Sequence, residues 1–129
     1  MIAPAAEGLS TAEVYREFDR MHASSRAAEP EIPDALMTAL RTGDVEGLGA
    51  ALVNDLQPAA FRLRPELEEL LAFGVQGSAH GAMLSGSGPT CLFLAENETH
   101  ATQVRGWLWT QMPGLPYAPG PVPGARVIR

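Results

Sequence analysis

The chain has 129 residues, of which 46% are hydrophobic and 19% are charged, and its formal net charge is −6. This length predicts one domain with its own core, and the acidic balance argues against binding to nucleic acid or to an anionic membrane surface. The 9 cationic residues are all arginines and Cys91 is the single cysteine, which excludes lysine chemistry, an internal disulfide and a cysteine-based metal cage for this chain.

The N-terminal region predicts a short strand over residues 2–6 and then a helix over about 11–22. Ser10 and Glu13 have the spacing of a capping box, in which each side chain satisfies a backbone donor of the other residue. Apolar residues recur at helical spacing along this helix: Val14, Phe18 and Met21. Tyr15 lies at the edge of that stripe.

Three further helices are expected in the middle of the chain, after a loop over residues 23–32. They span about 33–41, about 45–55, and a stretch that begins near Pro65. Asp44 is expected to cap the second helix and Pro58 to end it, while Gly74 suits the end of the third helix. The buried side of the third helix consists of leucines: Leu67, Leu70 and Leu71.

Residues 82–84 and 90–95 predict two strands joined by a sharp turn over 85–89. The second strand is apolar at nearly every position, which predicts a central strand covered on both faces. The next helix begins at Asn97 or Thr99 and buries one stripe: Ala101, Val104 and Leu108. At least one residue of the pair Trp107 and Trp109 is expected in the core.

Residues 112–124 are too rich in proline and glycine for regular structure, and residues 126–129 predict a closing edge strand. The order of elements predicts an α+β fold in one domain over residues 1–129, with a small antiparallel sheet and helices packed on one face. No apolar run reaches the roughly 20 residues that a membrane span needs. The N-terminus lacks the basic region of a signal peptide, so a cytoplasmic protein is expected.

The glycine-rich turn is the sharpest chemical feature of the sequence. Gly86 and Gly88 allow backbone N–H groups to approach an anion closely, and Ser87 adds a hydroxyl, so the turn is a candidate nest for phosphate. The alternative is a plain β-turn, since these are ordinary turn residues. A Walker A motif is absent. The histidines are scattered in sequence, so surface or capping roles are expected and no metal site is predicted: His22, His80 and His100.

Residues 85–94, SGSGPTCLFL, closely resemble the third signature motif of the GHMP kinases, which is the glycine-rich loop of their C-terminal domain. Residues 8–15 (GLSTAEVY), 54–60 (NDLQPAA) and 62–67 (RLRPEL) resemble the branch of that family that phosphorylates 4-diphosphocytidyl-2-C-methyl-D-erythritol. The resemblance covers residues 2–111 and implies a GHMP kinase C-terminal fold, a ferredoxin-like sandwich.

For activity, the resemblance implies transfer of the γ-phosphoryl group of ATP, with Mg²⁺, to the 2-hydroxyl of the cytidyl substrate, in the non-mevalonate route to isoprenoids. The family's catalytic lysine and aspartate and its main ATP-phosphate loop belong to an N-terminal domain whose motifs do not occur in this chain. We therefore expect no catalytic residue here and no binding of ATP or Mg²⁺ by this chain alone. The expected partners are the missing N-terminal kinase domain and the small cytidyl substrate, and the chain alone is expected to be inactive.

The resemblance also implies binding roles for two regions. Tyr15 matches the position of an aromatic residue that stacks on the substrate's cytosine, and Thr11 lies on the same helix end. Some relatives have proline where this chain has Ala12, which weakens that contact. The loop near the phosphates consists of Ser85, Gly86, Ser87, Gly88, Pro89 and Thr90. This interpretation requires the loop and the start of the first helix to line one common hollow.

Two alternatives stay open. The first is that the chain is a C-terminal domain of another GHMP kinase that acts on a different small alcohol. The second is that it is a non-catalytic binding module derived from that fold. A comparison of cytidyl, homoserine and mevalonate ligands separates the first alternative from the main interpretation. The second alternative predicts ligand binding or self-association by the isolated chain, so a titration that shows neither counts against it.

Overall fold

A computed structural model describes residues 1–3, 8–23 and 31–117, and these residues form three strands and six helices. The elements in chain order are β1 (Ile2–Ala3), α1 (Thr11–Met21), α2 (Asp34–Thr42), α3 (Val45–Ala50), α4 (Gln57–Leu63), α5 (Glu66–Gln76), β2 (Gly81–Leu84), β3 (Cys91–Leu94) and α6 (Glu98–Gln111). The predicted α+β class with a small antiparallel sheet is confirmed. None of the helices in the described ranges is both long and apolar enough to cross a bilayer.

The sheet has the order β1-β3-β2, and both pairings are antiparallel. In this register Cys91 of β3 lies between Ala3 of β1 and Leu84 of β2. The predicted central position of β3 is confirmed. Coverage on both faces is only partly borne out, because Cys91 and Phe93 are buried whereas Leu92 and Leu94, on the other face, are half-buried.

The core lies between the sheet and the helices α5 and α6. Buried side chains of both helices meet those of the strands, and the largest fully enclosed ones are Leu67, Leu84, Leu108, Val14, Val104 and Cys91. The predicted buried stripe of α5 is thus confirmed, and that of α6 is confirmed at Val104 and Leu108, whereas Ala101 is only half-buried. Burial raises the pKa of the Cys91 thiol to about 12, so this cysteine is a protonated core residue.

Helix α1 begins where the sequence predicts, but its capping is one-sided. The hydroxyl of Ser10 accepts a hydrogen bond from the backbone N–H of Glu13 at 3.4 Å. The carboxylate of Glu13 instead lies 3.8 Å from Arg16, so the reciprocal half of the predicted capping box is wrong. Val14 is fully buried, and the rest of the predicted stripe packs against the core at half burial.

The predicted helix over 45–55 is too long. Helix α3 begins as expected, with Asp44 accepting from the N–H of Gly47 at 2.9 Å, but it ends at Ala50. Pro58 does not end a helix; it occupies the first turn of α4, which the sequence analysis did not predict. A proline is tolerated there because the first N–H groups of a helix have no partner within it.

Two further expectations on α5 and α6 are wrong. Gly74 lies inside α5 and is buried, and the helix ends at Gln76 with Gly77 as its C-cap. Neither tryptophan of α6 is in the core, since Trp107 is 41% exposed and Trp109 is 53% exposed. The indole N–H of Trp107 donates to the backbone carbonyl of Phe73 at 3.0 Å, so this ring covers the contact between α5 and α6 from outside.

Several expectations fall wholly or partly outside the described residues. These include the later part of the strand predicted over 2–6, most of the loop over 23–32, and the edge strand over 126–129. Of the proline-rich stretch, residues 112–117 are described and form neither helix nor strand, as predicted.

Candidate functional site: the glycine-rich loop and the start of the first helix

The glycine-rich turn connects β2 to β3 at one end of the sheet. The N–H of Ser85 donates to the carbonyl of Thr90 at 2.8 Å, and the N–H of Gly88 donates to the carbonyl of Ser85 at 3.0 Å. Gly86 has φ 58° and Gly88 has φ 78°, a region that side-chain-bearing residues rarely adopt. The two glycines therefore set the shape of this loop.

That shape leaves backbone donors unused. In the part of the chain that the structure describes, no acceptor takes the N–H of Gly86 or of Ser87. Successive N–H groups beside positive-φ residues form a concave anion-binding nest. The loop thus has the donor geometry that a phosphate oxygen needs, although nothing in it carries a formal charge.

Asn54, which lies between α3 and α4, holds the loop in place through side-chain hydrogen bonds. Its side-chain amide donates to the carbonyls of Leu84 at 3.0 Å and Gly86 at 2.8 Å, and its amide oxygen accepts from the N–H of Leu56 at 3.0 Å. The side chain of Gln57 accepts from the N–H of Leu84 at 3.0 Å. These bonds place the loop relative to the helices.

Sequence reasoning missed this role of Asn54 and Gln57. Both residues belong to the stretch over 54–60 that carries the family resemblance, but the resemblance gave them no function. The available signal was an asparagine three residues before the first residue of a helix, where its side chain commonly bonds to nearby backbone. Its other two partners, the carbonyls of Leu84 and Gly86, lie 30 and 32 residues away along the chain and left no local signal.

The start of α1 lies against the loop. The hydroxyls of Thr11 and Ser87 form a hydrogen bond of 2.9 Å across 76 residues of sequence. Tyr15 is four residues after Thr11 and therefore lies on the same face of the helix, one turn along. Its side chain is 52% exposed. The structure therefore joins Thr11 to Ser87 and places the exposed Tyr15 one helical turn from Thr11, while a common hollow lined by the loop and the helix start stays a prediction.

The N-terminus of α1 adds to the anion preference of this surface. The first N–H groups of a helix lack partners within the helix and carry the positive end of its dipole. Because α1 begins at Thr11, which contacts Ser87, this end of the helix lies beside the loop. The surface combines neutral hydrogen-bond donors with one exposed aromatic ring, so its chemistry is that of binding and orienting a ligand.

Comparisons with known proteins place the chain in a family. A family model described as GHMP kinases C terminal matches residues 36–106. A 4-diphosphocytidyl-2-C-methyl-D-erythritol kinase of Thermobifida fusca is 51% identical over 94% of this chain and 39% of its own length. The same-named kinase of a Nocardioides species is 43% identical over 99% of this chain and 43% of its own length.

A solved structure shares the fold. The crystal structure of a 4-(cytidine 5'-diphospho)-2C-methyl-D-erythritol kinase superposes with a TM-score of 0.66 at 28% identity, over 84% of this chain and 38% of the other. This chain thus spans about two-fifths of the length of the curated relatives that it matches.

Proposed function

This chain belongs to the GHMP kinases, as the C-terminal domain of that family, and we propose that it is the substrate-side part of a 4-diphosphocytidyl-2-C-methyl-D-erythritol kinase. Relatives of that name match almost all of its length. The observation that carries the proposal is the 2.9 Å hydrogen bond between Thr11 and Ser87, since it joins α1 to the glycine-rich loop beside the exposed ring of Tyr15.

The proposed reaction is the phosphorylation of the 2-hydroxyl of the cytidyl substrate, at the expense of ATP, in non-mevalonate isoprenoid synthesis. ATP would supply the phosphoryl group, and the Mg²⁺ bound to ATP would neutralise part of the charge on that group. Catalysis of this kind depends mainly on positioning and on electrostatic stabilisation. Because the reaction consumes ATP, we expect it to take place in the cytoplasm.

Within that reaction, we propose that this chain binds the cytidyl diphosphate. Tyr15 stacks on the cytosine ring, a contact worth about 1–3 kcal/mol. Thr11 lies beside it, and the loop from Ser85 to Thr90 borders the diphosphate through the unused N–H groups of Gly86 and Ser87. A bound diphosphate suits these N–H donors because its oxygens are acceptors.

ATP and Mg²⁺ are proposed to bind outside this chain. The loop's N–H donors do not suit Mg²⁺, which takes oxygen ligands. The chain contains no lysine to place on a transferring phosphoryl group. We therefore propose that the catalytic groups and the nucleotide-binding loop come from a separate N-terminal kinase domain, and that the present residues do not transfer phosphate alone.

Binding measurements test the substrate assignment. We expect the chain to bind 4-diphosphocytidyl-2-C-methyl-D-erythritol in a calorimetric titration, and Tyr15→Ala to weaken binding by roughly 5- to 150-fold, the equivalent of one lost stacking contact. Tyr15→Phe keeps the ring and serves as the matched control, so its affinity stays close to that of the unaltered chain.

The same titration distinguishes the competing members of the family. Mevalonate and homoserine lack a base to stack, so neither is expected to compete with the cytidyl ligand. Competition by either compound, or equal affinity of the Tyr15→Ala and Tyr15→Phe variants, would show that Tyr15 does not read the cytosine and would remove the basis for this substrate.

A further inference from the structure

A second group of functional side chains lies at the other end of β2. His80 directly precedes β2, Glu96 follows β3, and His100 lies in the first turn of α6. One ligand atom from each of the three lies within 4.8 Å of the others. They line an open pocket of about 620 Å³. The sequence gave no sign of this cluster, because 20 residues separate the two histidines.

The fold brings these residues together through backbone contacts. The N–H of His80 donates to the carbonyl of Leu94 at 2.9 Å, which extends the β2–β3 ladder by one residue. Asn97 caps α6 by accepting from the N–H of His100 at 2.9 Å. The two imidazole rings consequently meet edge to face, with centroids 5.0 Å apart.

The hydrogen bonds of His100 determine its tautomer. Its Nδ1 accepts from the backbone N–H of Glu96 at 3.3 Å, and its Nε2 lies 3.0 Å from the carbonyl oxygen of Ser78. A backbone N–H only donates and a carbonyl only accepts, so the neutral ring carries its proton on Nε2 and a lone pair on Nδ1. A histidine that ligates a metal typically donates its other N–H to a backbone carbonyl in this way.

We propose that His80, Glu96 and His100 form a binding site for a divalent transition metal of the Zn²⁺ class. Two imidazoles and one carboxylate are ligands that Zn²⁺ accepts, and three protein ligands leave a fourth position open. The pocket in front of the cluster gives that position access to solvent. Nδ1 of His100 is the ligand atom of that ring, and it exchanges its long bond to the N–H of Glu96 for the metal.

Binding requires a modest closure of the cluster. Bonds of about 2.1 Å in a tetrahedral site place ligand atoms about 3.4 Å apart, which is less than the present limit of 4.8 Å. Glu96 is exposed and His80 is half-buried, so these two side chains have room to move toward the fixed ring of His100. The site is thus partly preformed, with His100 as its anchored member.

This site is independent of the proposed kinase function. His80 and Ser85 stand at opposite ends of β2, and five residues of extended strand span roughly 16 Å. The metal would therefore not reach a phosphate held by the glycine-rich loop. Mg²⁺ is not the expected ion, because two of the three ligand atoms are nitrogens and Mg²⁺ prefers oxygen.

Titration of the chain with zinc sulfate tests the proposal, using protein without a polyhistidine tag that has been treated with a chelator. We expect one equivalent of Zn²⁺ to bind and the unfolding temperature to rise, while magnesium chloride has neither effect. His80→Ala and Glu96→Gln should each weaken Zn²⁺ binding at least tenfold, and His22→Ala, a histidine outside the cluster, should leave the affinity unchanged.

His80→Ala and Glu96→Gln are the informative variants, because neither side chain supports the fold through a hydrogen bond described above, whereas His100 makes two. Circular dichroism verifies that both variants fold. Absence of Zn²⁺ binding to the unaltered chain at 100-fold excess of metal would overturn the proposal. Binding of unchanged strength in a folded His80→Ala variant would do so as well.

Discussion

Asn54 illustrates how a single side chain positions the candidate site. It satisfies three backbone groups at once, two of them at the end of β2 and in the glycine-rich loop and the third at the start of α4. Its amide is suited to this position because it offers both donors and an acceptor. A carboxylate of the same shape would place negative charge against the two carbonyl oxygens.

We predict that Asn54→Ala lowers the free energy of unfolding by roughly 2–3 kcal/mol, since each lost hydrogen bond is worth about 0.5–1.5 kcal/mol. Asp55→Ala alters an exposed neighbour and should change stability by less than about 0.5 kcal/mol. Urea denaturation of both variants measures the difference. If Asn54→Ala proved as stable as Asp55→Ala, the loop would not depend on Asn54.

At the scale of elements, close packing between α5 and β3 depends on one glycine. Gly74 is buried in α5, and a side chain added to it would collide with the ring of Phe93, which is itself 3% exposed. Gly106 offers a comparison, because it lies within α6 and has open space around the position of a Cβ atom. The two glycines thus have the same helical setting and opposite surroundings.

We predict that Gly74→Ala destabilises the chain by about 1–3 kcal/mol, because overpacking the core outweighs the gain in helix propensity. Gly106→Ala should instead stabilise it by about 0.5–1 kcal/mol, since only the propensity term acts there. Chemical denaturation of the two variants measures whether the free energy of unfolding falls in Gly74→Ala and rises in Gly106→Ala. A stabilised Gly74→Ala variant would mean that Phe93 yields easily and that this interface is loosely packed.

The elements that sequence predicted well are those with local signals. Ser10, Asp44 and Asn97 cap the helices that follow them, and the apolar run over 91–94 forms the central strand. Pro58 was wrongly predicted to end a helix, because a proline is compatible both with the end of one helix and with the first turn of the next. Only the tertiary structure decides between the two.

The site was predicted in part for the same reason. The turn chemistry of residues 85–89 and the position of Tyr15 on its helix are local, and the resemblance linked them. The supports of the loop and the histidine pair depend on contacts between residues 20 or more apart, as in the bond from Asn54 to Leu84. No periodicity or spacing reports such contacts.

At the scale of the whole molecule, the two ends of the small sheet carry different chemistry. One end holds the glycine-rich loop and the start of α1, which offer hydrogen-bond donors and an aromatic ring. The other end holds the cluster of His80, Glu96 and His100. In the proposed enzyme the first end holds the substrate, so a ligand at the second end is not expected to compete with it.

If this chain binds the substrate and a separate domain supplies the catalytic groups, a chimeric enzyme that combines the two should be active. The chain is 51% identical to the matching 39% of the Thermobifida fusca kinase, so we expect it to replace that portion and to restore ATP-dependent phosphorylation of the cytidyl substrate. The chain by itself should release no ADP above background, because it has no lysine and only the binding half of the proposed site. A coupled ADP assay measures both.

A chimera whose Ser87 is replaced, Ser87→Ala, distinguishes positioning by the loop from mere presence of the domain. Loss of the bond to Thr11 should raise KM for the cytidyl substrate while KM for ATP stays unchanged, because the loop borders that substrate. Turnover by the isolated chain would contradict the proposed division. So would a folded chimera that stays inactive, since the two halves would then not form one active site.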